Sequence, residues 1–453
     1  MISPSSAPKA PEITKILGTF IASHPNDQWP EHIKKEAHRS FANWLGCAIG
    51  ASQHETMQTA LRAVMRLSPA SQASVLGVGI KVDMSHAAFL NGLSAHTFDF
   101  DDTHWRTIIH PAAPVSSAVL ALAEVIGATG GGVIDAQTIG IEISCRIGNC
   151  IYPDHFNRGW HITGSTGALG AAAACARLLK LDAHKSAMAL GIAASQPIGI
   201  QDQFGTMTKP FHPGAAARAG LMSALLAAEG FTASATALEA PRGLLRIYSD
   251  KTDWSEITDQ LGQRWEAGDN TYKPFACGIV LHPCIDACIQ LHEAHQLEEI
   301  IIDKALVRVH PLIFDVTNKR NPKTGLEGKF SITHAAAIGL HFGKASQHEF
   351  TDTCVNAPEI TRLREKIVVE PDASLAETAS FVEVQTTGGT RHERLVTDVL
   401  GSLKKPMSDA QLHQKFMDQS SSVIGVTASQ FAWENAMALA STKDLSALLT
   451  LRG

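Results

Sequence analysis

The segment NGLSAHTFDFDDTHWRTIIHPAAP, residues 91–114, concentrates acidic and basic side chains between two apolar, alanine-rich flanks. It contains Asp99, Asp101 and Asp102 together with His96, His104, Arg106 and His110. Charged groups at this density are costly to bury unless they pair with one another or meet a ligand. A solvated acidic loop is the simplest alternative, but the alternating histidines and the closing His-Pro pair favour a functional site.

Helical hydrophobic patterns follow one another from this segment outward, and only SVLGVGIKV (74–82) has the alternation of a strand before residue 295. After Trp265 the pattern changes to alternating strands and short helices, including a hairpin pattern over 381–396 joined by two glycines. The sequence therefore predicts a mainly α protein. A large all-helical domain would comprise residues 1–267 and 402–453, and a smaller α+β lid domain would comprise residues 268–401.

The composition excludes several classes of protein. The chain has 453 residues and a formal net charge of −6, so it lacks the basic surface expected of a nucleic-acid-binding protein. No apolar run approaches the roughly 20 residues of a membrane span, and the N-terminus does not resemble a signal peptide. The eight cysteines show no disulfide spacing. These features predict a cytoplasmic protein without membrane or nucleic-acid partners.

Three further segments carry candidate functional residues. His161 precedes the small-residue run TGSTG, Lys209 and His212 lie in TKPFHPG, and Lys273 lies in NTYKPFACG near the predicted domain junction. Tight helix packing and a solvated basic turn are the simpler explanations for the first two segments, and neither a dinucleotide loop nor a zinc site has the required spacing. Together the segments are cationic, with Asp99 and Asp102 as expected counter-charges, and they suit a small polycarboxylate.

Five motifs resemble the successive motifs of the MmgE/PrpD family. They are NGLSAHTFDFDDTHWRTIIHP, RGWHITGSTGALGAAAACARLLKL, TKPFHPGAAARAGL, KPFACGIVLHPCIDA and SDAQLHQKF. Members of that family include 2-methylcitrate dehydratase, cis-aconitate decarboxylase and iminodisuccinate epimerase. The resemblance implies a helical domain with an α+β lid, a homodimer, and no metal or organic cofactor.

The resemblance also implies roles for individual residues. The family's active-site positions fall on Asp99, Thr103, His110, His161, Lys209 and Lys273. Two positions depart from the decarboxylase pattern, which has a histidine where this chain has Gly278 and a tyrosine where it has His334. These departures favour a member other than the decarboxylase.

Within the family, KPFACGIVLHP and YPDHFNRGWH most resemble iminodisuccinate epimerase, which would remove and return an α-proton without a cofactor. The expected catalytic residues are His110, His161, Lys273, Tyr152 and Asp99. The expected substrate-binding residues are Thr103, Arg158, Lys209, His212 and His334. The alternatives are a dehydratase or decarboxylase of the same family, and a non-enzymatic helical scaffold. A terpene cyclase, suggested by the DxDD pattern, lacks support because aromatic residues are only 6% of the chain.

Overall fold

Long helices rich in alanine and glycine form the first part of the protein. The computed structural model describes residues 11–449, except 26–28, 69 and 318. The helices of this part are α1 (Ile13–Ser23), α2 (Glu31–Gly50), α3 (Glu55–Val64), α4 (Met84–Thr97), α5 (Ala112–Ile126), α6 (Gly130–Ile151), α7 (Asp154–Asn157), α8 (Ile162–Leu178), α9 (Ala183–Ala193), α10 (Thr208–Ala228), α11 (Leu244–Tyr248) and α12 (Ser255–Thr258). Most of their apolar residues are buried in one continuous core.

Small residues allow these helices to pack closely. A Cβ atom added at Gly140 of α6 would lie 2.6 Å from the carbonyl oxygen of Gly170 in α8, and the reverse contact would be 2.7 Å. The two backbones therefore touch, and a larger residue at either position would force α6 and α8 apart. This close packing fixes α8, whose N-terminus carries His161.

Two short ribbons interrupt the helical part, which was predicted to contain a single strand over 74–82. That prediction is wrong: the segment is a hairpin of β1 (Ala73–Val75) and β2 (Ile80–Val82). Gly77 and Gly79 have positive φ angles and form its turn, which a continuous strand could not accommodate. The second ribbon joins β3 (Thr103–His104) to β4 (Asn270–Thr271) in antiparallel pairing.

The α+β part contains a mixed sheet with helices packed against it. Its elements are α13 (His282–His295), β5 (Ile302–Val309), α14 (Pro311–Val316), α15 (Gly325–Gly328), α16 (Ile332–Phe342), α17 (Asp352–Val355), α18 (Pro358–Glu365), β6 (Ile367–Pro371), β7 (Ser380–Thr386) and β8 (Arg391–Val396). The sheet order is β6-β5-β7-β8, with β5 and β6 parallel and the other pairs antiparallel. Along β5 and β7, buried residues mostly alternate with more exposed ones, so one face of the sheet is covered. The helices α13 and α16 pack against the sheet.

The alternating pattern EEIIIDKALVRVHPLIFDV predicts a strand over residues 298–316, but the strand observed there, β5, is shorter. It ends at Val309, because Pro311 begins α14 and cannot donate a hydrogen bond to a sheet. The predicted hairpin over 381–396 is confirmed as β7 and β8. The predicted class, mainly α with a smaller α+β part, is confirmed as well.

The C-terminal helices return to the first part of the chain. They are α19 (Asp409–Ile424), α20 (Val426–Met437) and α21 (Ser446–Leu449). Phe416 of α19 fills the space beside Gly46 of α2, and Lys415 donates a hydrogen bond to the carbonyl oxygen of Phe100 at 2.7 Å. The packing agrees with the predicted return of this segment, while the exact domain boundaries stay a prediction. Among the described helices, none combines the length and apolar character needed to cross a membrane.

Candidate active site at the junction of the two parts

The aspartate-rich segment forms a tight turn where α4 ends. Asp99 follows the helix with a φ of 50°, a left-handed conformation that aspartate tolerates better than most residues. Immediately after the turn, β3 pairs with β4, and the hydroxyl of Thr271 donates to the carbonyl oxygen of Thr103 at 2.7 Å. This short ribbon brings Lys273, two residues beyond β4, against Asp99.

Two buried lysines contact the carboxylate of Asp99. The Nζ atom of Lys273 donates to Oδ1 at 2.5 Å and to the Asp99 carbonyl oxygen at 3.0 Å, and the Nζ atom of Lys209 lies 3.1 Å from Oδ2. Burial alone would raise the pKa of Asp99, but Lys209 and Lys273 hold that pKa well below its usual value. Asp99 is therefore ionised and acts as the counter-charge of both lysines.

Asp102 does not share this role, which corrects the expectation that it is a counter-charge of the lysines. Its carboxylate accepts hydrogen bonds from Asn270 Nδ2 at 2.6 Å, Ser40 Oγ at 3.1 Å and the Ala112 backbone N–H at 3.3 Å. Burial, together with the neighbouring Asp101, raises the pKa of Asp102 to about 7. Asp102 thus has a structural role, because its hydrogen bonds connect the turn to β4 and to the start of α5.

Four histidines lie around Asp99 and its two lysine partners, Lys209 and Lys273. His96 and His110 approach it from the ends of the aspartate segment, with ring centroids 4.7 Å apart, and His161 stacks on His96 at 5.6 Å. His212 lies one helical turn after Lys209 in α10, and its Nδ1 atom is 2.9 Å from Nδ1 of His161. The sequence-predicted residues His110, His161 and His212 are thus brought together, with Thr103 at 3.3 Å from His110 Nδ1.

These histidines are neutral, so they add no positive charge to the segments, which were predicted to be cationic. Burial lowers the pKa of His96, His110 and His161, and it lowers the pKa of His212 to about 4. A buried imidazole without charge acts as a hydrogen-bond donor at one nitrogen and an acceptor at the other. The positive charge of the site therefore comes from its lysines.

Lys329 is a further lysine at the site that the sequence analysis did not select. It lies just before α16 in the α+β part, is 2% exposed, and donates to the carbonyl oxygens of Phe98 at 2.8 Å and Ala276 at 2.6 Å. Burial lowers its pKa to about 7 against the opposing effect of Asp99. Lys329 follows the C-terminus of α15 and precedes Ser331, the N-cap of α16, so its position gave no strong signal in the sequence.

A narrow cleft opens beside these groups. Asp99, Lys209 and Lys329 line it together with His96, Thr206 and Phe330. The ring of Phe330 stacks on Phe204 at 5.2 Å, and Lys209 Nζ lies 5.3 and 5.4 Å from the two ring centroids. The cleft thus combines ammonium groups with an aromatic wall contributed from both parts of the chain.

Three predicted site residues lie outside this cluster. Arg158 forms ion pairs with Asp154 at 3.2 Å and with Asp250, because the i,i+4 spacing from α7 captures its guanidinium near the surface. Tyr152 ends α6 with its ring beside Phe156. His334 is buried within the α+β part, where its Nε2 atom lies 2.9 Å from the Glu349 carbonyl oxygen.

Replacing Arg158 with alanine is therefore expected to change kcat/KM by less than about threefold, because a partly exposed ion pair contributes little. Steady-state kinetics of the purified variant would measure this. A decrease in kcat/KM of more than tenfold would show that Arg158 takes part in substrate binding or catalysis.

The donor atoms of His96, Asp99, Asp101 and His110 all lie within 4.8 Å of one another, a spacing that a metal ion could use. The surrounding charge does not suit a cation, however, because Lys209 and Lys273 are already paired with Asp99. A divalent ion would have to displace both ammonium groups or approach them closely in a buried environment. The side chains fit an anion better than a metal.

We expect the purified protein to contain no stoichiometric metal and to show no absorbance of a flavin or nicotinamide. Elemental analysis and an absorption spectrum would test this. One equivalent of a divalent metal that resists dialysis would contradict it.

The helical part and the α+β part each match a known domain family. Residues 15–257 match the MmgE/PrpD N-terminal domain and residues 275–438 match the MmgE/PrpD C-terminal domain, so the chain belongs to the MmgE/PrpD family. It is 26% identical over 471 residues to cis-aconitate decarboxylase of Aspergillus terreus, covering 97% of this chain and 95% of the relative. It is 25% identical over 457 residues to human cis-aconitate decarboxylase, covering 97% and 94%.

The family resemblance inferred from the motifs is confirmed, whereas the choice of iminodisuccinate epimerase as the most similar member is not supported. The relatives found along nearly the whole chain are named as decarboxylases. The motifs KPFACGIVLHP and YPDHFNRGWH are short, whereas the similarity to the decarboxylases extends over 97% of the chain. Enzymatic character is supported by the same relatives.

Proposed function

We propose that the protein is a lyase that decarboxylates a small unsaturated tricarboxylate of the cis-aconitate type, without a metal or an organic cofactor. The observation that carries this proposal is the number of lysines at the site. Lys209 and Lys329 line the cleft, and Lys273 pairs with Asp99 next to it. Only two ionised carboxylates, Asp99 and Asp101, lie among these three lysines. Buried positive charge in excess of its counter-charges is stabilised by an anionic ligand. The named activity of the full-length relatives supports decarboxylation among the reactions that such a pocket could perform.

An epimerase is less compatible with the geometry. Inversion at an α-carbon requires proton-exchanging groups on two opposite faces of the substrate. Among the expected catalytic residues, His110 or His161 would serve one face of the substrate, and Tyr152 or Lys273 would serve the other. Tyr152 packs beside Phe156 outside the cluster, and Lys273 is engaged by the carboxylate and the carbonyl oxygen of Asp99.

Decarboxylation makes specific demands on such a site. The bond between a carbon and its carboxylate breaks and CO2 leaves. The bonding electrons pass through the adjacent double bond to a carbon that takes up one proton. The negative charge that spreads into the remaining carboxylates is stabilised by fixed cations in a site shielded from water. Lys209 and Lys329 are placed for this role because both line the cleft from opposite parts of the chain.

Lys209 is our candidate for the proton donor. Two of the neutral imidazoles use their N–H groups on neighbouring protein atoms: His96 on Asp101, and His110 on the carbonyl oxygen of Asp102 at 2.8 Å. Burial lowers the pKa of Lys209, although Asp99 opposes the shift, so its ammonium releases a proton more readily than an exposed lysine. An ammonium can also hold a substrate carboxylate before the proton moves.

The two departures from the decarboxylase pattern do not exclude this activity. Gly278 lies against Lys329 and Phe330, and a Cβ atom there would be 3.5 Å from the Lys329 carbonyl oxygen. Phe330, against which Gly278 packs, lines the cleft here. His334 faces Glu349 and Phe350 rather than the cleft. The proposal implies that this chain handles the proton with other groups than a histidine at position 278.

The substrate is tested by separate incubations with cis-aconitate, 2-methylcitrate and iminodisuccinate, with products resolved by liquid chromatography. The Lys209→Met variant serves as the matched control for protein-independent decay. Itaconate formed from cis-aconitate alone is the expected result. Formation of 2-methyl-cis-aconitate would establish a dehydratase instead, and interconversion of iminodisuccinate stereoisomers would establish the epimerase.

The homodimer implied by the family resemblance stays a prediction. Light scattering of the purified protein at micromolar concentration should give about twice the 48.4 kDa mass of the chain. A monomer under those conditions would contradict it.

A further inference from the structure

His96 lies between an aspartate and a lysine of the cleft, in a position that the proposed chemistry does not yet use. Its Nδ1 atom is 2.8 Å from Asp101 Oδ2, and its Nε2 atom is 2.8 Å from Lys209 Nζ. All three side chains are buried, with His96 1% exposed, Asp101 0% and Lys209 5%. The imidazole thus connects a carboxylate to the ammonium that faces the cleft.

The two contacts fix the hydrogen positions on His96. A carboxylate can only accept a hydrogen bond, so Nδ1 must carry the hydrogen that points to Asp101. An ammonium can only donate, so Nε2 must present its lone pair to Lys209. Both contacts are satisfied only by the neutral Nδ1–H tautomer. Burial lowers the pKa of His96 although Asp101 opposes the shift, which agrees with a neutral ring.

We propose that Asp101 and His96 are positioning residues that hold the ammonium of Lys209 in place for a carboxylate of the substrate. This inference rests on the proposed function for the identity of the ligand. Asp99 pairs with Lys209 on one side at 3.1 Å and His96 accepts from it on another. An ammonium has three N–H groups, so at least one stays available to the cleft. The long, flexible lysine chain is thereby restricted before the ligand arrives, which lowers the entropic cost of binding.

Protonation of His96 would stop it from holding the ammonium of Lys209 in place. A hydrogen on Nε2 would point at the Lys209 ammonium and place two positive groups in contact. Besides Lys209, the groups facing His96 are Asp101, Asp99 and the rings of His110 and His161. The two carboxylates would offset part of the repulsion between the imidazolium and the ammonium. Since the pKa of His96 lies below its usual value, the loss of ligand affinity is expected only on the acidic side of pH 6.5.

Two substitutions separate positioning from a purely structural role. In His96→Gln the amide oxygen can reach the place of Nε2 and accept from Lys209, whereas in His96→Asn the shorter chain reaches only the place of Nδ1. Both are uncharged and polar. With tricarballylate, a saturated tricarboxylate without a reacting double bond, calorimetry should give a Kd about tenfold weaker for His96→Asn, the effect of losing one charge-assisted hydrogen bond. His96→Gln should recover most of that affinity and lose the acidic dependence.

Equal affinities and equal pH profiles for the two variants and the native protein would overturn the proposal. A second measurement does not depend on the ligand: nitrogen-15 NMR of histidine-labelled protein should show His96 as the Nδ1–H tautomer, with its Nε2 signal shifted in Lys209→Met. Hydrogen on Nε2 would also overturn the proposal. Should the native protein bind no tricarboxylate, the proposed function fails, while the tautomer still decides whether His96 accepts from Lys209.

Discussion

Replacing Lys209 with methionine is expected to lower kcat/KM for the tricarboxylate substrate by roughly 30- to 1,000-fold. The estimate corresponds to a loss of about 2–4 kcal/mol of transition-state stabilisation, as when one fixed donor is removed from a developing negative charge. Methionine keeps most of the length and apolar volume of the lysine chain, so no large cavity forms. The effect should fall on both kcat and KM, because the ammonium would bind a carboxylate and supply a proton.

The matched control is Lys185→Met, which removes a lysine of α9 whose Nζ donates to the carbonyl oxygen of Ala228 at 2.8 Å, away from the cleft residues. Its kcat/KM should stay close to that of the native protein. Thermal unfolding should separate activity from folding, since both variants are expected to unfold cooperatively. Near-native turnover by Lys209→Met would mean that the site lies elsewhere.

Replacing Lys273 with methionine is expected to reduce both activity and stability. Its Nζ atom holds the Asp99 carboxylate and backbone, and the side chain is 1% exposed. Removing one partner of a buried ion pair costs about 3–5 kcal/mol, and the remaining contact of Asp99 with Lys209 places the expected loss near 3 kcal/mol. Denaturant unfolding of Lys273→Met would measure this loss.

A double substitution distinguishes the stability effect from the catalytic one. In Lys273→Met with Asp99→Asn, the unpaired carboxylate is removed, and asparagine tolerates the left-handed φ of 50° at this position. The double variant should regain part of the lost stability while staying inactive. Equal stability of the single variant and the native protein would show that the Asp99–Lys273 pair is not an essential element of the fold.

Much of the helical architecture follows from sequence periodicity, and the misjudged elements have identifiable causes. The alternation in SVLGVGIKV was real, but Gly77 and Gly79 adopt positive φ angles that turn the strand back on itself. Periodicity also cannot show pairing between residues far apart in sequence. The ribbon of β3 and β4 places Lys273 beside Asp99 through backbone hydrogen bonds that leave no local signature.

The candidate site was predicted where unusual residues cluster in short segments, as with Asp99, His110 and Lys209. Two properties of the site could not be predicted from the sequence. The histidines are neutral because they are buried, and Arg158 forms an ion pair with the neighbouring Asp154. Lys329 was missed because it is a single lysine in a lid segment, and only tertiary packing brings it to Phe98 and Ala276.

The central claim is that this cleft decarboxylates a tricarboxylate with protein side chains alone. Proton NMR of the metal-free protein incubated with cis-aconitate in D2O tests it most directly. The expected product is itaconate carrying one deuterium at the carbon that accepts the proton, formed in equal amount with CO2. Unchanged cis-aconitate, or incorporation of deuterium without release of CO2, would contradict it.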